Sequence, residues 1–445
     1  MERPLARPSA EPTAGKEAPP ARGRHRAEDR LQSPGPVVQQ NIRQQNLALV
    51  LREVMKNGPR SRAGIAAAVG LTRSTVSSLV GELIARGLLL ERELERVGAV
   101  GRPGRLVAVS DTTVVALGLE INVDYLAACV LDLKGNVRYE QFLRHENRGI
   151  PVEVVLDALA ELGRRALDSV EGEGLIPVGT TIALPGLVDV ASGMLLRAPN
   201  LGWGRLSLEA ELGRRLGRSH HYVTVENDAK LAALGELWLG HELQLGDFIY
   251  VFGEIGVGAA LVVNGELLRS GSGLGGELGH ITVDPDGPQC TCGSRGCLEQ
   301  VVGQEALLRA AGLEATVGTS IALPDGGASV IVKSARRGDA ATLAALAEAG
   351  RALGLACAAA VNLFAPNTIV LGGIYAPLFP WLSGPLRGEL EKRAFLTRYS
   401  DVAVVRSELG AAAAVRGAAS LALRAVCADP FLVGTQGPVA PALGP

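Results

Sequence analysis

A chain of 445 residues is too long for one ordinary hydrophobic core and requires two or three folded units. Its net charge of −2 excludes a uniformly basic nucleic-acid binder, but the charge is unevenly placed: residues 37–110 carry 11 Lys/Arg against 5 Asp/Glu, and residues 111–445 carry 26 against 36. Six cysteines, three of them within eight residues, do not suit a secreted disulfide framework, and no apolar segment follows Arg3 and Arg7 as in a signal peptide, so a soluble cytoplasmic protein is expected.

Residues 1–36 are rich in Pro, Ala and Arg without an apolar period, which predicts a disordered tail. Residues 37–110 then read as a small α+β module. Ile42, Leu47, Val50, Leu51 and Val54 mark a helix over 38–56, closed by Asn57-Gly58-Pro59. Helices are predicted over 62–69 and 73–86, an apolar strand over Leu88–Leu90, and a Gly-rich hairpin ending at Leu106–Val109. Within this stretch Ala66 is small where two helices cross closely, and Gly70 suits a left-handed turn. Ile65, Val69, Leu71, Val76 and Leu79 supply packing positions, and Thr72 is placed as the cap of the third helix. That helix exposes Arg73, Ser74, Thr75, Ser77 and Ser78, short hydroxyls and one arginine suited to a major groove. A three-helix protein-interaction module is the alternative. The sequel Gly98-Ala-Val-Gly-Arg-Pro-Gly-Arg105 decides against it, because a Gly-rich tip carrying Arg102 and Arg105 makes a wing able to reach phosphates or a narrow minor groove.

After Ser110, Val114–Leu119, Tyr125–Leu131 and Val137–Phe142 read as successive strands, with Lys134-Gly135-Asn136 as a tight turn. Helical and strand patterns then alternate to about residue 425, so 111–428 is expected to be an α/β body and 429–445 a disordered tail. The uncharged stretch Ala352–Leu386 is long enough to span a bilayer. It contains Asn362, Pro366, Asn367 and Gly372-Gly373, which favours a buried helix followed by a buried strand and no membrane partner.

The most specific local pattern is Gly279-His280-x9-Cys290-Thr-Cys292-Gly-Ser-Arg-Gly-Cys297-Leu-Glu299. Three thiolates and one imidazole form a closed tetrahedral set for a structural Zn²⁺, with Gly287, Gly293 and Gly296 letting the chain fold back around one ion. No coordination position is left for water, so zinc catalysis is not expected. If one nitrogen of His280 binds metal, the other carries the proton and is a fixed hydrogen-bond donor. Reactive or merely buried thiols are the alternative.

From about Val38 to Arg424 the chain resembles the ROK family of repressors, open reading frames and sugar kinases. The likeness rests on Glu277-Leu-Gly-His280 with the cysteine pattern, Leu184-Pro-Gly-Leu-Val-Asp189 running on to Ala198-Pro-Asn-Leu-Gly-Trp203, Glu226-Asn-Asp-Ala229, and Pro366-Asn-Thr-Ile-Val-Leu-Gly-Gly373. It implies an actin-like, sugar-kinase-type two-lobed domain preceded by a winged helix-turn-helix, with hexose hydroxyls held by Asn227, Asp228, Glu277, His280 and Glu299, and Gly186 and Asn200 lining the same cleft. Carboxylates, an amide and an oriented imidazole suit hydroxyls that both donate and accept. In the family's kinases Asp228 would be the general base. Their first phosphate loop, Asp-x-Gly-Gly-Thr-Lys, is here Glu120-Ile-Asn122-Val123-Asp124-Tyr125, and their Gly-Thr-Gly is Glu254-Ile255-Gly256. The phosphate cradle is lost at both loops, and Asp124 adds charge where phosphates would lie. The expectation is a sugar-responsive homodimeric or homotetrameric regulator, most simply a repressor, bound to a double-stranded operator; an ATP-dependent sugar kinase carrying a DNA-binding module is the alternative.

Overall fold

The computed structural model describes residues 39–93, 105–217, 222–240, 245–269, 275–313 and 327–434. The chain divides between Arg43 and Gln44: the first unit contributes the opening of α1 (Gln39–Asn57), and the second holds every other described element.

Within the second unit, Leu47, Val50, Leu51 and Val54 follow the i, i+3, i+4, i+7 spacing of one helical face and are fully buried. Strand β1 (Arg60–Ser61) leads into α2 (Arg62–Val69), whose first turn is capped by the Ser61 hydroxyl accepting from the Gly64 N–H at 3.1 Å. Gly70, at φ 71°, ends α2, as its position in the sequence predicts. Thr72 then caps α3 (Arg73–Ala85), its hydroxyl accepting from the Thr75 N–H at 3.2 Å. Strands β2 (Leu89–Glu93) and β3 (Arg105–Val109) pair antiparallel from Leu89↔Val109 to Glu93↔Arg105, and β1 joins the free edge of β3. The wing therefore has longer strands than the three apolar residues at 88–90 predict. Its tip, including Arg102, lies outside the described residues.

The body has two five-stranded sheets. The first contains β4 (Val114–Ile121), β5 (Tyr125–Asp132), β6 (Val137–Arg144), β7 (Ile176–Leu184) and β10 (Tyr222–Asn227), in the order β10-β7-β4-β5-β6. Helix α4 (Val152–Gly172) connects β6 to the parallel strand β7; the hairpin β8 (Leu187–Asp189) and β9 (Met194–Arg197), then α5 (Leu208–Leu216), lead to β10. Helix α6 (Asp228–Leu239) begins directly at the end of β10. The second sheet runs β13-β12-β11-β14-β15, from β11 (Phe248–Gly253), β12 (Val257–Val263), β13 (Glu266–Leu267), β14 (Thr368–Gly373) and β15 (Ala403–Arg406). It is covered by α7 (Glu299–Val302), α8 (Gln304–Ala310), α9 (Gly327–Arg336), α10 (Ala340–Phe364) and α11 (Tyr375–Arg393). Finally α12 (Ala413–Ala428) packs on β4, β5, β7 and α6. A Cβ on Gly118 would lie 2.1 Å from the Val415 carbonyl oxygen, so the bare glycine is what lets α12 lie on β4. Two similar sheets, each carrying its helices, make the two-lobed actin-like architecture that the resemblance implies.

The uncharged stretch at 352–386 is the end of α10, all of β14 and the start of α11, so a second helix follows the expected helix and strand. Pro380 and Pro385 inside α11 are what hid it. Helix α10 and the segment Gly410–Ala428 are long and apolar enough to cross a membrane, and both are mostly buried inside the protein.

The C-terminal tail expected from residue 429 needs correction as far as Gly434. Pro430–Leu432 form a short 3₁₀ turn, and Val433 is buried. The segment is held by Arg86, which follows α3: its guanidinium lies over the Phe431 ring at 4.6 Å and donates to the carbonyls of Pro430 and Val433. The winged helix is not a bead on a string. Ile65, Val76, Leu83 and Val107 share one apolar cluster with Val114, Tyr125, Val426 and Val433 of the body.

Candidate functional site

The cleft is built at the ends of strands. After β7 the chain turns at Gly186 (φ 155°), where a Cβ would meet the Arg197 carbonyl oxygen at 2.6 Å. At the end of β10, Asn227 caps α6 through its Oδ1, which accepts from the Lys230 N–H at 3.1 Å, while its Nδ2 donates to the Gly186 carbonyl at 3.2 Å. Asp228, the first residue of α6, accepts from the Ala229 N–H at 2.8 Å. On the other lobe a Cβ on Gly256 would lie 2.6 Å from Asn200 Nδ2 and 2.8 Å from Glu299 Oε2, so this glycine leaves room for both side chains to enter the cleft. Glu299 is fixed by the Val257 N–H, which donates to Oε2 at 3.1 Å.

All seven residues expected to hold or line a sugar site (Gly186, Asn200, Asn227, Asp228, Glu277, His280 and Glu299) border one cavity of 240 Å³. That lies below the roughly 300–1,000 Å³ of pockets for drug-sized ligands and suits one small polar molecule. Burial raises the Asp228 carboxyl to about 6, and the nearby Glu277 carboxylate adds to the rise. Burial also raises Glu277 and Glu299, although His280 pulls both the other way. These carboxyls are therefore poised to accept from, or donate to, an uncharged hydroxyl-bearing ligand. Arg197, Asn122 and Glu254 border the cavity too. Arg197 carries no motif of its own; adjacency to Ala198 in the quoted pattern was the available signal.

The phosphate-loop positions contain Glu120, Asn122, Asp124 and Glu254, all buried. Burial raises Glu120 to about 8, Asp124 to about 6, and Glu254 well above the carboxylate range. Near neutral pH burial thus holds Glu120 and Glu254 largely protonated, whereas Asp124, raised only to about 6, keeps most of its charge. At the first of these loops Tyr125 donates to Glu120 at 2.6 Å, and Asn122 Nδ2 donates to the Tyr125 hydroxyl oxygen at 3.1 Å.

Beside the cleft, ligand atoms of His280, Cys290, Cys292 and Cys297 all lie within 4.8 Å of one another. Cys292 Sγ and Cys297 Sγ are 3.7 Å apart, and Cys290 Sγ is 3.8 Å from His280 Nδ1. Those spacings are far from a disulfide and close to the roughly 3.8 Å edge of a tetrahedron with Zn–S bonds of about 2.3 Å. The turns are tight: the Cys290 N–H donates to the Ser294 carbonyl at 2.8 Å, and a Cβ on Gly296 would meet the Asp284 carbonyl oxygen at 1.5 Å.

On the winged helix, Thr72, Arg73, Ser74, Ser77 and Ser78 are exposed and Thr75 is half-buried. Several of the expected DNA-facing groups are already engaged, the Thr72 hydroxyl with those of Ser74 and Thr75 at 2.9 and 2.8 Å. The Ser77 hydroxyl and carbonyl accept from Arg62 at 2.9 and 2.7 Å, and Arg105 pairs with Glu91 at 3.1 Å. Arg62 also pairs with Glu91, at 2.9 Å, so this arginine links α2, α3 and the wing; only the fold brings those three together.

The sequence model of the ROK family matches residues 116–425, and that of the MarR family matches residues 48–102. The chain belongs to the ROK family. This ROK protein is 29% identical over 391 residues to the xylose repressor of Bacillus subtilis, with 88% of this chain and 97% of that one covered. It is 29% identical over 393 residues to the DNA-binding transcriptional dual regulator NagC of Escherichia coli, covering 86% and 94%. Among solved structures, a ROK family transcriptional regulator described as a homolog of the E. coli MLC protein matches with TM-score 0.72 and 26% identity, covering 88% of this chain and 98% of that one. A ROK glucokinase from Streptomyces griseus, in complex with glucose and AMPPNP, matches with TM-score 0.59 and 27% identity, but over 70% of this chain. Likeness to the regulators therefore extends over a larger share of the chain than likeness to that kinase.

Proposed function

We propose that this ROK protein is a sugar-responsive, DNA-binding transcriptional regulator, a repressor of carbohydrate uptake or metabolism genes, acting in the cytoplasm as a homodimer or homotetramer. The observation that carries the reading is the convergence of Asn200, Asn227, Asp228, Glu277, His280 and Glu299 on one cavity, in a chain that also carries a winged-helix module. Each polar group has a task toward a sugar hydroxyl. Asp228, Glu277 and Glu299 accept, Asn200 and Asn227 orient, and Gly186 leaves the backbone close enough to the ring to exclude water. Thr72, Arg73, Ser74, Thr75, Ser77 and Ser78 would face the operator, with Arg105 and Arg102 on the wing.

His280, Cys290, Cys292 and Cys297 would hold one structural Zn²⁺. The ion would supply a rigid tetrahedral node, with no part in bond-making. With Nδ1 turned toward the sulfurs, Nε2 of His280 holds the proton and is a fixed donor to the sugar. Binding would draw the lobes together and change the spacing of two recognition helices on a two-fold operator. Phosphoryl transfer is outside this reading, because the loop positions present buried carboxyls where backbone N–H groups and cations are needed.

Gel shifts on DNA upstream of the protein's own locus, with and without pentoses, hexoses and N-acetylhexosamines, test the reading. We expect a specific complex whose affinity changes at least ~10-fold with one sugar. Sequence-specific binding that no sugar alters would overturn the sensor half, and absence of specific binding in every condition the regulator half.

A further inference from the structure

Between the winged helix and the body lies a second hollow of 710 Å³, separate from the sugar cleft. Helix α1 lines it with Arg52 and Lys56, the β5–β6 turn with Lys134, α6 with Trp238, and α12 with Ser420 and Arg424. No described carboxylate lines it, and the rest of its wall is largely apolar. Arg424 lies with its guanidinium 4.0 Å from the Trp238 ring centre and makes neither a hydrogen bond nor an ion pair with a described residue. Lys134 alone of the four cations has a carboxylate partner among the described residues, Asp111 at 2.5 Å. Ser420 is 5% exposed, and its hydroxyl has no hydrogen-bond partner. A buried hydroxyl without a partner is destabilising unless something satisfies it. Four cations around an apolar hollow, with one unsatisfied donor in its wall, are complementary to one chemical class.

We infer that this hollow is a second effector site, for a small anion with an apolar body, a carboxylate or a phosphate ester, held by Arg424, Arg52 and Lys56 and by the Ser420 hydroxyl. The volume falls within the ~300–1,000 Å³ of small-molecule sites. Its position gives the ligand a consequence. Arg52 and Lys56 belong to the first helix of the DNA-binding module, whereas Ser420 and Arg424 belong to the helix on the first-lobe sheet. A ligand touching both favours whichever arrangement of module and body brings these groups together, and operator affinity shifts by the ratio of its affinities for the two arrangements. Sugar in the cleft and anion in this hollow would then be two inputs to one recognition helix.

The probe is 8-anilinonaphthalene-1-sulfonate, an aromatic anion, titrated into the full-length protein while its own emission and Trp238 quenching are recorded. We expect one saturable site. Octanoate and octyl phosphate should displace the probe, inorganic phosphate should do so only weakly, and the cleft's sugar should leave the site in place. Arg424→Gln and Ser420→Leu should each weaken probe binding at least ~10-fold; if either variant melts early, Arg52→Gln with Lys56→Gln, on the exposed side of α1, carries the test. Probe binding unchanged in these variants, or abolished by sugar alone, overturns the proposal. Displacement by non-specific duplex DNA as effective as by octyl phosphate also overturns it, since the cations would then be a DNA-backbone contact. Because the readout needs no sugar response, its failure is separable from failure of the regulator reading.

Discussion

Glu120 is fully buried, with one oxygen accepting from Tyr125 at 2.6 Å and the other without a partner. Burial raises its carboxyl from 4.5 to about 8. The folded chain therefore holds a proton that the unfolded chain releases. Stability from this group is fully present below about pH 4.5 and is lost as pH rises through about 8. Asp124 and Asp228, raised from 3.8 to about 6, act with the same sign at lower pH. Glu120→Gln keeps an oxygen for Tyr125 and removes the titration. We expect its melting temperature to exceed that of the parent by ~2 °C or more at pH 8.5 and to match it near pH 5, in thermal scans across that range. A difference constant with pH would show that the carboxyl is not held protonated. At the metal cluster, Cys290→Ala removes one of four proposed ligands. Metal analysis should fall from about one zinc per chain toward none. Sugar affinity should fall at least ~10-fold, because His280 loses the node that fixes its ring. A variant that loses zinc yet binds sugar as before would separate the metal from the cleft.

Local elements were legible in the sequence where the signal was local. Thr72 as a cap, Gly70 as a turn, and the limits of α2 need only neighbouring residues, and the structure places each as expected. The seven residues bordering the cleft were legible because each falls inside one of the quoted patterns, and the fold brings those patterns to one cavity. Arg62 and Arg86 were not. Arg62 acts on Ser77 and Glu91, and Arg86 on residues more than 340 positions away, pairings that no periodicity encodes. Arg86 matters most at this scale, because it joins the end of the recognition helix to the 3₁₀ turn Pro430–Leu432, the last among the described residues. Its guanidinium is buried against Phe431, pairs with Glu82 at 2.9 Å, and serves two carbonyls. Arg86→Ala leaves the Val433 carbonyl without its donor, while the Pro430 carbonyl still accepts from the Val433 N–H, at a cost of about 1–3 kcal/mol. Urea unfolding of the full-length protein should register that loss, and operator affinity should fall with it while sugar affinity holds. Equal loss in both bindings would mean that the contact supports the whole fold and not α3 in particular.

At the scale of the molecule, the apolar cluster that joins the winged helix to the first lobe decides how the parts behave together. Leu83, Leu88 and Val107 bury themselves against the same cluster as Val114, Val415 and Val426, so neither part can expose its face without uncovering the other's. Apolar burial contributes about 25 cal/mol per Å², and a shared cluster spreads that contribution across the junction. Two modules joined by a linker would melt independently; these should melt together. Hydrogen exchange on the full-length protein should therefore give α3 and β4 the same opening free energy within about 1 kcal/mol under mild denaturant. Sugar that stabilises the cleft should raise both by the same amount, since a ligand bound only to the folded state stabilises everything that unfolds with its site. Protection gained in β4 with none in α3 would mean that the module opens on its own, and the path from cleft to recognition helix would then have to run through lobe movement without shared stability.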